Sequence, residues 1–232
     1  MNEMNDKSKI FLIYSVVALS CVLILVTTFY IRSQRVLPEQ KPYYSEDSQF
    51  ESLLTLEKDL VLKNQDGEEV KLSELKGKVW AFAQFYATCP MCAKRNSQGL
   101  KALYEKFKDI PDFCLVCITV NPEEDGVEQM KSYAEALEAD SSNWLFLTGD
   151  AERLKDYMVR EMKYDPIKKR SDPEEAATKG ALAHNMSIAV YNRDLSMVGR
   201  KDLSAARADG DKVYQEVEKS LHQMIDVVLK QK

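Results

Sequence analysis

Residues 79–96 read VWAFAQFYATCPMCAKRN, and their reading decides the fold. The first half, VWAFAQFYA, is an apolar and aromatic run long enough for a buried strand. Thr88-Cys89-Pro90-Met91-Cys92 then leads into a helical pattern. Two thiols two residues apart at such a junction can close a small disulfide or offer a pair of soft ligands to a metal. The free N–H groups and dipole of a helix start favour thiolate over thiol. Pro90 suits the first helical position, so Cys89 is expected to be the more exposed and more acidic thiol and Cys92 the partly buried, resolving one.

The 232-residue chain is 30% charged and 45% hydrophobic, which fits a globular protein and argues against disorder. Its net charge of −5 gives no footprint for nucleic acid. Five cysteines are too few for a disulfide-stapled scaffold, and four of them form two CxxC pairs. Cysteine usage therefore points to redox or metal chemistry.

Working toward the N-terminus, residues 10–31 form 22 uncharged residues, IFLIYSVVALSCVLILVTTFYI. At helical rise they span roughly 33 Å, about the hydrocarbon thickness of a bilayer. The run ends in Phe29-Tyr30-Ile31-Arg32 rather than in small residues, so an uncleaved transmembrane helix is expected instead of a signal peptide. Lys7 and Lys9 precede it and Arg32, Arg35 and Lys41 follow it, so flanking charge does not fix its orientation. The expected organisation is a short tail over 1–9, a membrane helix over 10–31, a polar linker over 32–50 with two prolines, and one domain over 51–232.

Within that domain, 59–62 and 68–72 flank an Asp66-Gly67 turn and predict a hairpin. Beyond Cys92, Leu100, Leu103, Tyr104 and Phe107 recur at helical spacing. A strand is expected over 113–120 (FCLVCITV), a helix over 127–139, a strand over 144–147 and a helix over 150–162 with Asp150 as its N-cap. Residues 165–178 read as an exposed loop. Strands over 187–191 and 196–200 joined by Asn192-Arg193-Asp194 follow. Val213, Val217, Leu221, Ile225 and Val228 mark one face of a final helix. Strands alternating with helices predict an α/β domain, and the CxxC after an early strand predicts a thioredoxin-like fold, a central mixed sheet flanked by helices.

Cys114 and Cys117 repeat the spacing inside a strand, where residues i and i+3 sit roughly 10 Å apart on opposite faces, too far for a disulfide. The two pairs also have the spacing of a structural zinc site. The second lies in a continuous apolar run rather than a knuckle turn, so buried strand thiols are the better account. Asn121-Pro122-Glu123-Glu124-Asp125 is expected to be a solvated turn. Of the two histidines, His222 reads as a surface residue of the last helix. His184 stands just before the strand at 187–191. Two thiolates and one imidazole would suit a soft monovalent copper ion or a mixed-ligand divalent one.

Several segments together resemble the SCO/SenC family of membrane-anchored copper chaperones. Gly77-Lys78 followed by Phe85-Tyr86-Ala87-Thr88-Cys89-Pro90 is similar to that family's strand and first cysteine. Ile118-Thr119-Val120-Asn121-Pro122-Glu123-Glu124-Asp125 is similar to its strand and D-P-E-x-D turn. Trp144–Gly149 resembles the next strand, and His184-Asn185-Met186-Ser187-Ile188 the histidine-led strand. Order and spacing agree over about residues 55–202. The resemblance implies a thioredoxin-like fold that binds copper through Cys89, Cys92 and His184. It implies service, as metallochaperone, thiol reductant or both, in assembling the copper centre of cytochrome c oxidase subunit 2. It also implies a single-pass protein of the bacterial inner membrane, anchored by residues 10–31, with the C-terminal domain in the periplasm or outside.

One departure stands out. The family places three residues between its cysteines, and here only Pro90 and Met91 intervene. A CPxC spacing is that of thioredoxin-like disulfide oxidoreductases, which usually carry a cis-proline before the strand facing the cysteines. No proline lies near His184. A general extracytoplasmic thiol–disulfide oxidoreductase using Cys89 and Cys92 on thiol–disulfide partners is the alternative. A non-catalytic, membrane-tethered interaction domain is the third reading.

Overall fold

The computed structural model describes residues 6–33, 43–45, 48–89 and 97–231. Cys92, with its neighbours from 90 to 96, lies outside the described residues. The chain divides into two compact units, Met1–Lys41 and Pro42–Lys232.

The first unit is built on α1 (Asp6–Ser33). Its segment Ile10–Tyr30 has a mean hydropathy of 2.7, is not covered by protein, and is long and apolar enough to cross a membrane. The hydroxyls of Ser20, Thr27 and Thr28 donate to carbonyls one turn back, 2.6–2.8 Å away. Each of these three hydroxyls is thereby satisfied inside the helix, as an apolar medium demands.

The second unit opens with β1 (Leu54–Thr55), the hairpin β2 (Val61–Lys63) and β3 (Glu69–Lys71), and a 3-10 turn (Leu72–Leu75). There follow β4 (Val79–Phe85), α2 (Ser97–Phe107), β5 (Phe113–Thr119), α3 (Val127–Leu137), β6 (Trp144–Leu147) and α4 (Ala151–Arg160). The chain continues through β7 (Lys168–Lys169), α5 (Pro173–Lys179), β8 (Leu182–Ala183), β9 (Ile188–Tyr191), β10 (Ser196–Lys201), α6 (Leu203–Ala208) and α7 (Asp211–Lys230). The expected hairpin, strands and helices are present within a few residues of their predicted limits, and Asp150 caps α4 by accepting from the Arg153 N–H.

The main sheet runs β1-β10-β9-β4-β5-β6. β4 pairs parallel with β5, β5 pairs parallel with β6, and β9 is antiparallel to β4. All seven residues of β4 and of β5 are buried, as a sheet covered on both faces requires, and hence their near-continuous apolar composition. On α7, Leu221, Met224, Ile225 and Val228 are buried, and the helix packs against β4 and β10. The edge of β6 is closed by the hairpin. Gln65 donates to the Trp144 carbonyl (2.7 Å) and accepts from the Phe146 N–H (2.9 Å), and Lys63 and Thr148 exchange both backbone bonds. A buried glutamine thus stands in for the next strand and leaves no open ladder there.

Two expectations are corrected. Residues 165–178 are not simply an exposed loop: β7 pairs with β8, Lys168 opposite Ala183, and α5 lies between them. His222 is half-buried, its ring edge-on to Phe107 at 5.8 Å. Burial, reinforced by Lys106, holds its pKa below the ordinary value.

Candidate functional site

The pairing of β9 with β4 builds the site. Ala83 lies opposite Ile188, so the C-terminal end of β4, which runs into Cys89, and the N-terminal approach to β9, which carries His184, emerge on the same edge. The parallel strands β5 and β6 end there too. Carboxyl ends of parallel strands are where α/β sheets place ligands, because the chain must leave the sheet there and loops gather.

Tyr86 is the hub. Its ring stands edge-on to the His184 ring, centroids 5.6 Å apart and planes at 78°. Its hydroxyl accepts the Leu182 N–H at 3.2 Å, and its carbonyl accepts the Cys89 N–H at 3.1 Å, closing the turn that presents the thiol. A methyl group built on Gly180 would lie 1.9 Å from Tyr86 Oη and 3.3 Å from Cys89 Sγ. Backbone from the 165–183 excursion therefore lies directly over the first cysteine.

Arg170 ties that cover together. Its guanidinium donates to the carbonyls of Gly180 (2.7 Å) and Leu182 (2.6 Å), and its main chain bonds Ala181. Cys89 is only 1% exposed, so the thiol expected to be the more exposed of the pair is itself buried beneath this cover; Cys92, its term of comparison, lies outside the described residues. The helix-start argument treats the junction alone and omits a segment that returns 90 residues later.

His184 is half-buried and its Nδ1 lies 3.0 Å from the Asn185 carbonyl. A carbonyl only accepts, so this contact puts the neutral ring's proton on Nδ1 and the lone pair on Nε2, the arrangement of a metal-ligating imidazole. The next residue is fixed in turn: Gln84, buried in β4, accepts the Asn185 N–H at 3.0 Å, and Asn185 Oδ1 accepts the Ser187 N–H at 2.8 Å. An open cleft of about 410 Å³ lined by Pro166, Lys168, Ala183, His184 and Asn185 adjoins the ring.

The two thiols of β5 have no part in this edge. Cys114 and Cys117 are buried in β5, and Trp144 Nε1 lies 3.5 Å from Cys117 Sγ. Burial pushes both up to about 12, which keeps them protonated and unreactive at neutral pH. Among the described residues, no three His, Cys, Asp or Glu side chains gather as a metal site would. Cys92 lies outside those residues.

The turn after β5 is solvated at Glu123 and Glu124 as expected, but not at its last carboxylate. Asp125 is fully buried, not solvated. Its Oδ2 accepts from the Ala87 N–H at 3.0 Å and the Thr119 hydroxyl at 2.5 Å. Burial pushes its carboxyl above the ordinary aspartate range, against those two hydrogen bonds. Sequence reasoning also passed over Arg170 and Gly180. For the excursion a signal existed: Asp172-Pro173-Glu174-Glu175 is a capped helix start.

Comparison with known proteins decides the family. The family model for SCO1/SenC matches residues 51–222. The chain belongs to the SCO1/SenC family. A SCO1 protein homolog of Bacillus subtilis (strain 168) is 33% identical over 88 residues, which are 38% of this chain and 46% of that protein. The match thus spans less than half of that relative's length. Two solved SCO structures share the fold. One is BsSco, described as a member of the Sco family of cytochrome c oxidase assembly proteins with a disulfide switch. It aligns with a TM-score of 0.60 at 19% identity, over 80% of this chain and all of the other. The second is ScoI of Bradyrhizobium japonicum with copper bound, with a TM-score of 0.53 at 20% identity over 72% of this chain and 96% of the other. The SCO chain described here thus has the thioredoxin-like architecture expected from its CxxC, with an apolar helix ahead of it.

Proposed function

We propose that this SCO protein carries copper as cargo on Cys89, Cys92 and His184, and serves assembly of the copper centre of cytochrome c oxidase subunit 2. The observation that carries the reading is the convergence of Cys89 and His184 on Tyr86 through the β4–β9 pairing. Two thiolates and an imidazole form a soft donor set, matched to Cu(I). Binding at neutral pH would release the thiol protons. Copper bound in the ScoI relative supports the same reading. Residues 10–31 would anchor the protein in a bacterial inner membrane with the 51–232 domain in the periplasm or outside, an oxidising compartment where a dithiol can cycle.

The shortened spacing, with only Pro90 and Met91 between the cysteines, favours a second activity at the same residues. The Cys89 thiolate would attack a disulfide of a partner protein to give a mixed disulfide. Cys92 would then displace it. The partner gains two electrons and two protons, and Cys89–Cys92 is left oxidised.

Titration of the reduced full chain in detergent with Cu(I), against a competing chelator, tests the proposal. One equivalent should bind tightly. Loss of a residue that only orients a metal ligand already costs about 10–100-fold in metal affinity, so His184→Ala, which removes a direct ligand, should cost more than about a hundredfold. Absence of tight binding in the wild type, with a Cys89–Cys92 disulfide that exchanges readily, would leave the oxidoreductase reading in its place. A disulfide inert to exchange would leave only a tethered interaction domain.

A further inference from the structure

The carboxyl of Asp125 is placed as no solvated turn residue would be. Three strand ends meet on it. Its Oδ2 takes the Ala87 N–H, two residues beyond β4. The same oxygen takes the hydroxyl of Thr119, the last residue of β5. Its carbonyl accepts from the hydroxyl of Thr148, just past β6, at 2.6 Å, and its own N–H bonds the Asn121 carbonyl at 2.9 Å. Oδ1 is buried with no hydrogen-bond partner among the described residues. Leaving one oxygen of a buried carboxyl unpaired works against stability, so the two bonds at Oδ2 are what an acid at this position contributes.

We infer that Asp125 is the positioning residue of the Cys89 turn: it pins Ala87 to the ends of β5 and β6, and so sets how far the thiol-bearing turn can open. Ala87 stands two residues before Cys89, inside the turn closed by the Cys89 N–H on the Tyr86 carbonyl. Once the Ala87 anchor is released, the described contacts that restrain the turn are the Tyr86 carbonyl bond and the Gly180 cover. Cys89 is buried, so a partner, metal or reagent reaches it only after a local opening, and the turn that carries the thiol is one of the two described elements, with the Gly180 cover, whose movement would supply it. The inference goes beyond the proposed function, because it concerns access to the thiol whichever chemistry that thiol performs.

The test is alkylation of the reduced, copper-free full chain in detergent by iodoacetamide, with each cysteine followed by peptide mass spectrometry. Asp125→Ala should alkylate Cys89 about ten- to a hundredfold faster than the wild type, the loss of a bond to a charged acceptor read as an opening equilibrium. Cys114 and Cys117 should stay unmodified in the same sample, which separates a loosened turn from a loosened domain. Asp125→Asn keeps an acceptor oxygen in place and should stay near the wild-type rate. Thr119→Val removes the hydroxyl that aims the carboxyl and should give a smaller rise, still confined to Cys89; it serves as the deciding variant if Asp125→Ala does not fold. An unchanged Cys89 rate, or a rise shared by all three thiols, overturns the inference. Because no copper is present, its failure is distinct from failure of the copper-binding reading.

Discussion

Gly180→Ala should uncover Cys89 while leaving the domain folded. Gly180 has φ 90° and ψ 155°, a region open essentially to glycine, where another residue is strained by about 1–3 kcal/mol. The added methyl would stand 1.9 Å from Tyr86 Oη, far inside any real contact. Tyr86 is 2% exposed and cannot step aside cheaply, so the cover must lift. α5 contributes no buried residue to the core. The strain should therefore be relieved by displacing the excursion, not by unfolding the sheet. The expected result is a rise of about tenfold or more in Cys89 alkylation, about 1.4 kcal/mol per decade, with a melting temperature within a few degrees of wild type. A Cys89 rate equal to that of the wild type would show that something other than this cover shields the thiol.

Trp80→Ala should have the largest effect on stability. Trp80 is fully buried in the middle of the sheet. It stacks on Tyr191 at 4.0 Å with planes at 11° and meets Phe82 edge-on at 6.3 Å. Emptying such a site costs about 3–5 kcal/mol, a large share of the 5–15 kcal/mol typical of a domain. For a unit of this size that lowers the melting temperature by roughly 10 °C. The indole N–H has no hydrogen-bond partner among the described residues. Trp80→Phe, which keeps a ring against Tyr191 and removes that unpaired donor, should therefore cost clearly less. Trp80 and Tyr191 are also register partners across β4 and β9, the pairing that puts the segments carrying Cys89 and His184 at one edge of the sheet. Thermal denaturation followed by circular dichroism checks both variants. Equal melting temperatures for Trp80→Ala and wild type would mean that this pair does not anchor the sheet.

The sequence carries the layered α/β architecture openly, because β4 and β5 are uninterrupted apolar runs and α2 and α7 hold their buried residues at helical spacing. The junction at Cys89 is equally legible. Its surroundings are not. That β9 inserts antiparallel between β10 and β4 leaves no periodic mark, so the residues alone offer His184 as a donor type without placing it at the cysteine edge. β7 and β8, two residues each, are too short for any period to show. Gly180 matters only through its neighbours Tyr86 and Cys89, and no local pattern announces that. Asp125 looks like one of several turn carboxylates until its burial is seen. Local chemistry can be read from the chain; what returns to cover it, and what anchors it from a neighbouring strand, comes from tertiary pairing.

X-ray absorption spectroscopy of the copper-loaded, reduced full chain tests the central claim most directly, because it counts the donor atoms around the metal. The account predicts Cu(I) held by two sulfur ligands and one imidazole nitrogen, the nitrogen lost in His184→Ala and a sulfur lost in Cys89→Ser. Copper without an imidazole ligand in the wild type, or the same donor set after either substitution, would contradict it.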